Sequence, residues 1–307
     1  MRIAIYGSGS VGGYFGGRLA QGGEDVVFIA RGIHLEALRT HGLTVDSIKG
    51  NFVLPGVEAT EDLSKVKPVD CVLVCVKAWQ VAEVATVLRS VLGPEAFVVP
   101  LENGVEAPQQ LAEKLGPQRV LGGLCRIASQ LIAPGHVRHV GIEPYVAFGE
   151  LDGHSSRRTE TLRQAFERAG VMAEVPANIQ AAMWQKFIFI AAISGVGAVA
   201  RAPIGRLRSL AGTRQMLSDA MRETFLVAQA CGVLLPEDIV AKTMAFVDTL
   251  PEATTASMQR DIIEGRPSEL EAQSGAIVRL GQSHGVPTPT HSFIYHSLLP
   301  QELLTRQ

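Results

Sequence analysis

The chain has 307 residues, of which 47% are hydrophobic and 19% charged, and its formal net charge at pH 7 is −2. This length leaves room for two domains, the apolar fraction excludes a disordered chain, and the charge excludes a broad basic surface for nucleic acid. The four cysteines form no C-x-x-C pair and no cluster with histidine, so we expect no metal site and reduced thiols in a cytoplasmic protein.

The beginning of the chain predicts a dinucleotide-binding turn. An apolar run, Ile3 to Ile5, indicates a buried strand, and glycines in the G-x-G-x-x-G spacing and then a helical pattern follow it. Gly7 would allow the tight turn, Gly9 the approach of a pyrophosphate, and Gly12 close packing of the helix on the strand. The alternative is a glycine-rich turn of another α/β protein. We expect the cofactor to contact Gly7, Ser8, Gly9, Ser10, Val11 and Gly12.

The end of the second predicted strand indicates which dinucleotide binds. This strand runs from Asp25 to Ala30 and is followed by Arg31, with no acidic residue beside it. An acidic residue at this place would bind the ribose 2′-hydroxyl of NAD, whereas Arg31 would pair with the 2′-phosphate of NADP. The alternative is a solvated surface arginine. The sequence therefore predicts NADP(H).

Strand and helix patterns alternate over the rest of the first half. Strands are predicted at Asp70 to Val76 and Phe97 to Leu101, while His41 to Glu58 predicts strands and turns inserted before them. The alternation predicts a doubly wound parallel sheet, in which ligands bind beyond the C-terminal strand ends. We therefore expect one edge of the sheet to be lined by four residues that follow predicted strands: Gly7, Arg31, Lys77 and Asn103.

Helical patterns dominate the second half, and we place the domain boundary near Pro176. Ala181 to Val199 predicts a buried helix because it is apolar nearly all round, and its run Phe187 to Ala200 is too short for a membrane span. Further helices are predicted at Gly205 to Cys231, at Pro236 to Thr249, and from Pro267 to near Gly285. The expected fold is α/β, with an N-terminal Rossmann-type doubly wound parallel sheet (1–176, NADP-binding) followed by an all-α domain (177–307, substrate binding and dimerisation).

Several short motifs lie along the chain in a specific order. They are Gly7-x-Gly9-x-x-Gly12, Arg31, Lys77-Ala-Trp-Gln80, Asn103-Gly104, Trp184-Gln-Lys186, Ser257-Met258 and Ser268-Glu269. Each is weak alone, but the joint set resembles the ketopantoate reductase (2-dehydropantoate 2-reductase) family along nearly the whole chain. The resemblance implies a Rossmann domain and a helical domain with the active site in the cleft between them. It also implies NADPH-dependent reduction of a branched 2-oxo acid in pantothenate biosynthesis.

The resemblance also implies roles for single residues. Lys186 would be the general acid and Glu269 the active-site glutamate. Asn103, Ser257 and Ser194 would contact the substrate, and the cofactor would also contact Lys77, Gln80 and Asn103. Family members commonly carry asparagine where this chain has Ile190, Ser194 and Thr254. A site with fewer amides would suit a different or more apolar 2-oxo acid, because unpaired polar groups are costly to bury.

The chemistry of ketone reduction supports these roles, although each has a structural alternative. The developing alkoxide needs a proton, and burial lowers the pKa of a lysine from about 10.4 towards working pH. Glu269 would keep Lys186 charged and oriented. Alternatively, Lys186 is a lysine whose amine reaches solvent near a helix end, Asn103 is a turn residue, and Glu269 lies in the first turn of a helix capped by Ser268-x-x-Glu271.

We therefore expect a cytoplasmic NADPH-dependent reductase of 2-dehydropantoate with Lys186 as general acid. One alternative is a reductase of another 2-oxo or 3-oxo acid, favoured by Ile190, Ser194 and Thr254. Another is an NADP-binding sensor without turnover, against which Lys186 and Glu269 argue. The expected partner is a small-molecule 2-oxo acid, with no nucleic acid and no membrane. A homodimer is left open, since the long apolar helix could lie partly in a dimer interface.

Overall fold

The computed structural model describes residues 1–306, which form two compact units. The first comprises Met1–Glu102 and Ala107–Ile179. The second comprises Asn103–Glu106 and the chain from Gln180 onward. The first unit ends at Ile179, near Pro176, and a short segment that contains Asn103 belongs to the second unit. A single boundary along the chain cannot describe this division, because a segment within the first half of the sequence belongs to the second unit.

The strands of the first unit form three sheets. They are β1 (Arg2–Tyr6), β2 (Asp25–Ile29), β3 (Leu43–Ser47), β4 (Phe52–Leu54), β5 (Glu58–Thr60), β6 (Val69–Val74), β7 (Leu92–Pro100), β8 (Leu121–Arg126), β9 (Ser129–Ala133), β10 (His136–His139), β11 (Tyr145–Glu150) and β12 (Met172–Glu174). A five-stranded parallel sheet forms the centre of the unit, in the order β5-β2-β1-β6-β7. The two smaller sheets have the orders β4-β3-β10-β9 and β12-β11-β8.

The central strand β1 is buried on both faces, as the apolar run predicts. Ile3 and Ile5 pack into one core with Phe15, while Ala4 and Tyr6 face the core on the other side of the sheet. Successive strand residues point to opposite faces, so a strand covered on both sides needs a continuous apolar run. The helices of this unit are α1 (Ser10–Gln21), α2 (Gly32–His41), α3 (Val81–Val87), α4 (Ala107–Leu115) and α5 (Arg157–Arg168).

The segment from His41 to Glu58 departs from its prediction at one end. β3 and β4 do pair outside the main sheet, in the sheet that also contains β10 and β9, but β5 pairs in parallel with β2 and extends the main sheet. Three residues are too few for a periodic pattern, so this edge strand could not be recognised from sequence.

The second unit is helical, which completes the predicted fold class. Its helices are α6 (Ile179–Ala200), α7 (Ile204–Ser209), α8 (Ala211–Ala230), α9 (Ile239–Thr249), α10 (Ser257–Ile263), α11 (Ala276–His284) and α12 (Pro289–Leu304). The single helix predicted over Gly205 to Cys231 is wrong, because Leu210 is extended at φ −101° and ψ 126° and separates α7 from α8.

The apolar helix α6 lies in the core of the second unit, where Phe187 and Ile188 are buried. With 22 residues, it is longer than its apolar run Phe187 to Ala200, and within residues 1–306 it alone is long and apolar enough to cross a membrane. However, 67% of its most apolar window is buried inside the protein. A core helix passes the same test of length and composition, so this feature is weak evidence for a membrane span.

Candidate active site

The glycine-rich turn between β1 and α1 has the geometry that a dinucleotide requires. Gly7 has φ +93°, and a Cβ there would lie 2.9 Å from the Cys75 backbone, while a Cβ on Gly12 would overlap the Gly7 carbonyl oxygen. A Cβ on Gly9 would meet nothing within 4 Å. Gly7 and Gly12 are thus required by packing, whereas Gly9 leaves open space at the turn. This space fits a group that approaches the backbone closely.

The first turn of α1 offers backbone donors at the same place. The first helical hydrogen bond runs from Gly13 N to Gly9 O, at 2.7 Å. The amide N–H groups of Ser10, Val11 and Gly12 therefore precede the helical ladder and have no acceptor within it. Such donors, together with the positive end of the helix dipole, suit a phosphate.

The Ser8 side chain has a structural contact. It is buried, and its hydroxyl donates to the Ile29 carbonyl at 3.3 Å, which ties the turn to the end of β2. The Ser8 carbonyl accepts a hydrogen bond from His34 Nε2 at 2.7 Å. The Ser8 amide also donates to the Ile29 carbonyl, at 3.3 Å, so each polar atom of Ser8 helps to hold the turn. A cofactor contact by Ser8 stays a prediction.

His34 holds this turn from the other side, a role that the sequence did not reveal. Its Nδ1 accepts from the Gly135 amide at 3.0 Å, so Nε2 carries the proton that is donated to Ser8. Burial lowers the pKa of His34, which favours this neutral form. No local pattern could have indicated the contact, because Gly135 is far away in the chain.

Parallel pairing brings three of the predicted residues to one edge of the main sheet. Gly7, Arg31 and Lys77 follow β1, β2 and β6, which run side by side in the same direction. Arg31 is exposed and extended just before α2. The ammonium of Lys77 lies 5.9 Å from the centroid of the Trp79 ring, and the Lys77 amide donates to Gln80 Oε1 at 3.2 Å.

In the second unit, Asn103 and Glu269 are in direct contact. Asn103 Nδ2 donates to Glu269 Oε2 at 3.2 Å, and Glu269 is only 5% exposed. Gly104 has φ +124°, and a Cβ there would lie 3.2 Å from the Ala272 carbonyl oxygen. The Asn-Gly turn therefore packs against the chain just after Glu269, which explains why glycine follows Asn103.

The predicted capping box at Ser268 is wrong. The Ser268 amide donates to both carboxylate oxygens of Glu302, at 3.1 Å each, instead of to Glu271. Glu271 is paired with Arg279 and accepts from the Tyr295 hydroxyl at 2.6 Å. The helix does not start at Pro267, because a π-helical turn, Glu271–Gly275, precedes α11. π-Helical turns occur frequently at functional sites.

The remaining predicted residues lie on two helices of the second unit. Lys186 is half-buried on α6, next to the buried Phe187. Ser194 is fully buried on the same helix, and its hydroxyl makes no hydrogen bond to residues 1–306. Eight residues of helix separate Lys186 from Ser194, which is about 12 Å along the axis. A substrate contact by Ser194 stays a prediction, as does one by Ser257, the half-buried first residue of α10.

Two surface cavities lie away from all of these residues. A cavity of about 300 Å³ in the first unit is lined by Glu150, His154 and Arg163, among others. One of about 680 Å³ in the second unit is lined by Arg214, Arg222 and Met244, among others. Within residues 1–306, no three His, Cys, Asp or Glu side chains are grouped so that they could hold a metal ion.

Comparisons with known proteins match the chain in both halves. The family model described as "Ketopantoate reductase PanE/ApbA" matches residues 3–153, and its C-terminal counterpart matches residues 178–302. A 2-dehydropantoate 2-reductase of Archaeoglobus fulgidus is 32% identical over 93% of this chain and 92% of its own length. That of Nostoc sp. is 28% identical over 97% and 94%. The crystal structure of a PanE/ApbA family ketopantoate reductase from Ralstonia eutropha superposes with a TM-score of 0.91 at 32% identity, covering 100% of both chains.

Proposed function

This chain belongs to the ketopantoate reductase family, and we propose that it catalyses the NADPH-dependent reduction of 2-dehydropantoate to pantoate. It is therefore an oxidoreductase that acts on a small-molecule 2-oxo acid. The observation that carries the assignment of the site is the hydrogen bond between Asn103 and Glu269, two residues that sequence motifs had singled out independently.

The first unit would hold the cofactor. The N–H groups at the start of α1 and the open space at Gly9 support binding of the pyrophosphate. The exposed guanidinium of Arg31, at the end of β2, supports binding of the 2′-phosphate through charge-assisted hydrogen bonds. When bound, NADPH supplies the hydride for the substrate carbon.

The second unit would supply the proton. Lys186 donates its proton to the substrate oxygen as negative charge develops there. The Glu269 carboxylate orients the ammonium and keeps it charged. Because Asn103 uses one N–H on Glu269, its Oδ1 and its second N–H stay available for polar groups of the substrate or of the nicotinamide.

A reductase of a different 2-oxo acid is the second candidate. Ile190 is half-buried on α6, one helical turn after Lys186, and therefore on the same face of the helix. An isoleucine there offers apolar contact where family members commonly have an amide. This favours a substrate with an apolar side chain in place of the hydroxymethyl group of 2-dehydropantoate.

A panel assay separates the two candidates. The purified chain would be given NADPH and a series of branched 2-oxo acids, and NADPH oxidation would be followed by absorbance. Highest kcat/KM for 2-dehydropantoate is the expected result. A clear preference for an acid without a hydroxyl group would favour the second candidate, and no oxidation with any acid would contradict both.

Location and assembly rest on less specific observations. All four cysteines are free thiols, and burial raises the pKa of Cys71 and Cys75, so neither is suited to reaction as a thiolate. Free, unreactive thiols support a cytoplasmic location. A homodimer stays part of the proposal, and sedimentation of the purified chain would test it.

A further inference from the structure

The residue before Glu269 is held at each of its polar atoms. The Ser268 amide donates to both oxygens of Glu302, at 3.1 Å each, and its hydroxyl donates to Glu302 Oε2 at 2.5 Å. The same hydroxyl accepts from the Leu270 amide at 3.2 Å, and the Ser268 carbonyl accepts from Arg306 Nη2 at 2.9 Å. The peptide groups on both sides of Glu269 are therefore fixed by hydrogen bonds.

Glu302, in the last turn of α12, forms an ion pair with Arg306, which lies just beyond that helix. They are one helical turn apart, and Arg306 Nε donates to Glu302 Oε1 at 2.7 Å. Glu302 is 5% exposed, and a carboxylate so deeply buried is costly unless it is paired and hydrogen-bonded. Here its oxygens accept from the Ser268 amide, the Ser268 hydroxyl and the Arg306 guanidinium, so the buried charge is both paired and hydrogen-bonded. The adjacent Gln301 also donates to the Ile262 carbonyl in α10.

We propose that Glu302 is a positioning residue that places Glu269 for catalysis by fixing Ser268. The inference rests on the proposed function, in which Glu269 orients the proton-donating Lys186. Catalytic groups must be held to within about 0.5 Å of their productive geometry, which requires support from the residues behind them. Glu302 gives that support to the backbone of Glu269, while Asn103 holds its side chain.

A purely structural role for Glu302 is the alternative, and the chain offers a matched control for it. Glu223 is also buried, at 7% exposed, and accepts from the amides of Thr290 and His291 at 2.7 and 2.9 Å. It therefore holds the first turn of the same helix, α12, through the same kind of contact. Both Glu302→Gln and Glu223→Gln should lower the melting temperature. Only Glu302→Gln should impair catalysis.

The test compares kcat, KM for 2-dehydropantoate and the NADPH dissociation constant of these variants with those of the wild type. Because a displacement of about 1 Å can cost about 100-fold, we expect Glu302→Gln to lower kcat by about 10- to 100-fold with NADPH affinity unchanged. Glu223→Gln should keep kcat within about threefold, because Glu223 accepts from the amides of Thr290 and His291 and not from the residues beside Glu269. Near-normal kcat in folded Glu302→Gln, or an equal loss in Glu223→Gln, would overturn the proposal.

A double-mutant cycle shows whether Glu302 acts through Glu269. In a Glu269→Gln background, adding Glu302→Gln should cause little further loss of kcat, because the two changes remove the same function. Multiplicative losses would overturn the proposal. If Glu302→Gln does not fold, Ser268→Ala replaces it in both experiments, since it removes the hydroxyl contacts and leaves the Glu302–Arg306 pair intact. Near-normal kcat in Ser268→Ala would then be the contrary result.

The wild type distinguishes failure of this proposal from failure of the proposed function. If the wild type fails to oxidise NADPH with every 2-oxo acid of the panel, the proposed function fails. Hydrogen exchange then tests the positioning directly: the amides of residues 268–275 should exchange faster in Glu302→Gln than in the wild type or Glu223→Gln. Equal exchange in all three would overturn the proposal.

Discussion

Asn103 Nδ2 donates a hydrogen bond of 3.2 Å to Oε2 of Glu269, although 166 positions separate the two residues in the chain. Asn103 reaches this contact because the segment Asn103–Glu106, which follows β7, belongs to the second unit. A hydrogen bond to a charged group contributes about 1.5 to 3 kcal/mol. The contact is therefore strong enough to fix the carboxylate that we propose orients Lys186.

The first prediction concerns this bond. Asn103→Ala removes the donor, so we expect kcat/KM for 2-dehydropantoate to fall by about 10- to 100-fold, the equivalent of one charge-assisted hydrogen bond. Gln109→Ala is the control, because Gln109 Nε2 donates to Glu113 at 3.3 Å in the same way on the exposed surface of α4. An Asn103→Ala enzyme as active as the Gln109→Ala enzyme would show that the bond has no catalytic role.

The second prediction concerns Lys186, the proposed proton donor. Lys186→Ala should lower kcat by about 100- to 10,000-fold, the usual contribution of a positioned acid, and leave the NADPH dissociation constant unchanged. Titration of cofactor fluorescence measures the second quantity. Gln185→Ala, at an exposed neighbouring position on α6, is the control. Near-normal turnover of Lys186→Ala would remove this residue from the mechanism.

The third prediction concerns the choice of cofactor. Arg31→Ala removes the guanidinium at the end of β2, so we expect NADPH affinity to fall by about 10- to 100-fold while NADH affinity stays the same. NADH serves as an internal control, because it lacks the 2′-phosphate that Arg31 would bind. Equal losses for both cofactors would mean that Arg31 acts on the fold rather than on the phosphate. Tighter binding of NADH than of NADPH by the wild type would contradict the assignment itself.

The fourth prediction is a pH dependence of stability. His291 is fully buried between Ser274, Thr224 and the Ala220 carbonyl, and burial lowers its pKa from 6.5 to about 4. Between pH 6.5 and pH 4 the unfolded chain binds a proton at this histidine and the folded chain does not. The contribution of His291 to the free energy of unfolding is therefore complete above pH 6.5 and is lost as the pH falls towards 4. That loss is on the order of 3 kcal/mol in the free energy of unfolding.

Denaturant unfolding between pH 7 and pH 4 measures this effect. The wild type should lose stability with falling pH more steeply than His291→Gln, whose side chain does not titrate. His296→Gln is the control, because His296 is exposed on the same helix. If the free energy of unfolding falls equally steeply with pH in the wild type and in His291→Gln, His291 does not cause the loss of stability at low pH.

Local patterns in the sequence predict the first unit better than the second. The turn at Gly7, Gly9 and Gly12 depends on a few adjacent residues, and its strand and helix lie next to it in the chain, so spacing alone was sufficient. The three-residue strand β5 was missed because its identity comes only from pairing with β2. His34 was missed for the same reason, since both of its partners are distant in sequence.

Ser268 shows where a local pattern misleads. Ser268-x-x-Glu271 has the spacing of a capping box, but the Ser268 amide and hydroxyl both bond to Glu302, which is 34 positions further on. A buried carboxylate from another helix competes with the local partner, and tertiary contacts of this kind leave no periodic signal. The residues that we propose touch the substrate could thus be identified from motifs, whereas the residues that hold them required the structure.

Transfer of a labelled hydride tests the central claim most directly. The purified chain would be incubated with 2-dehydropantoate and with NADPH deuterated at the transferred position of C4, and the product would be analysed by mass spectrometry. We predict pantoate that carries one deuterium at C2, formed by the wild type and almost absent with Lys186→Ala. No pantoate, or pantoate without deuterium, would show that the chain does not transfer a hydride from NADPH to this substrate.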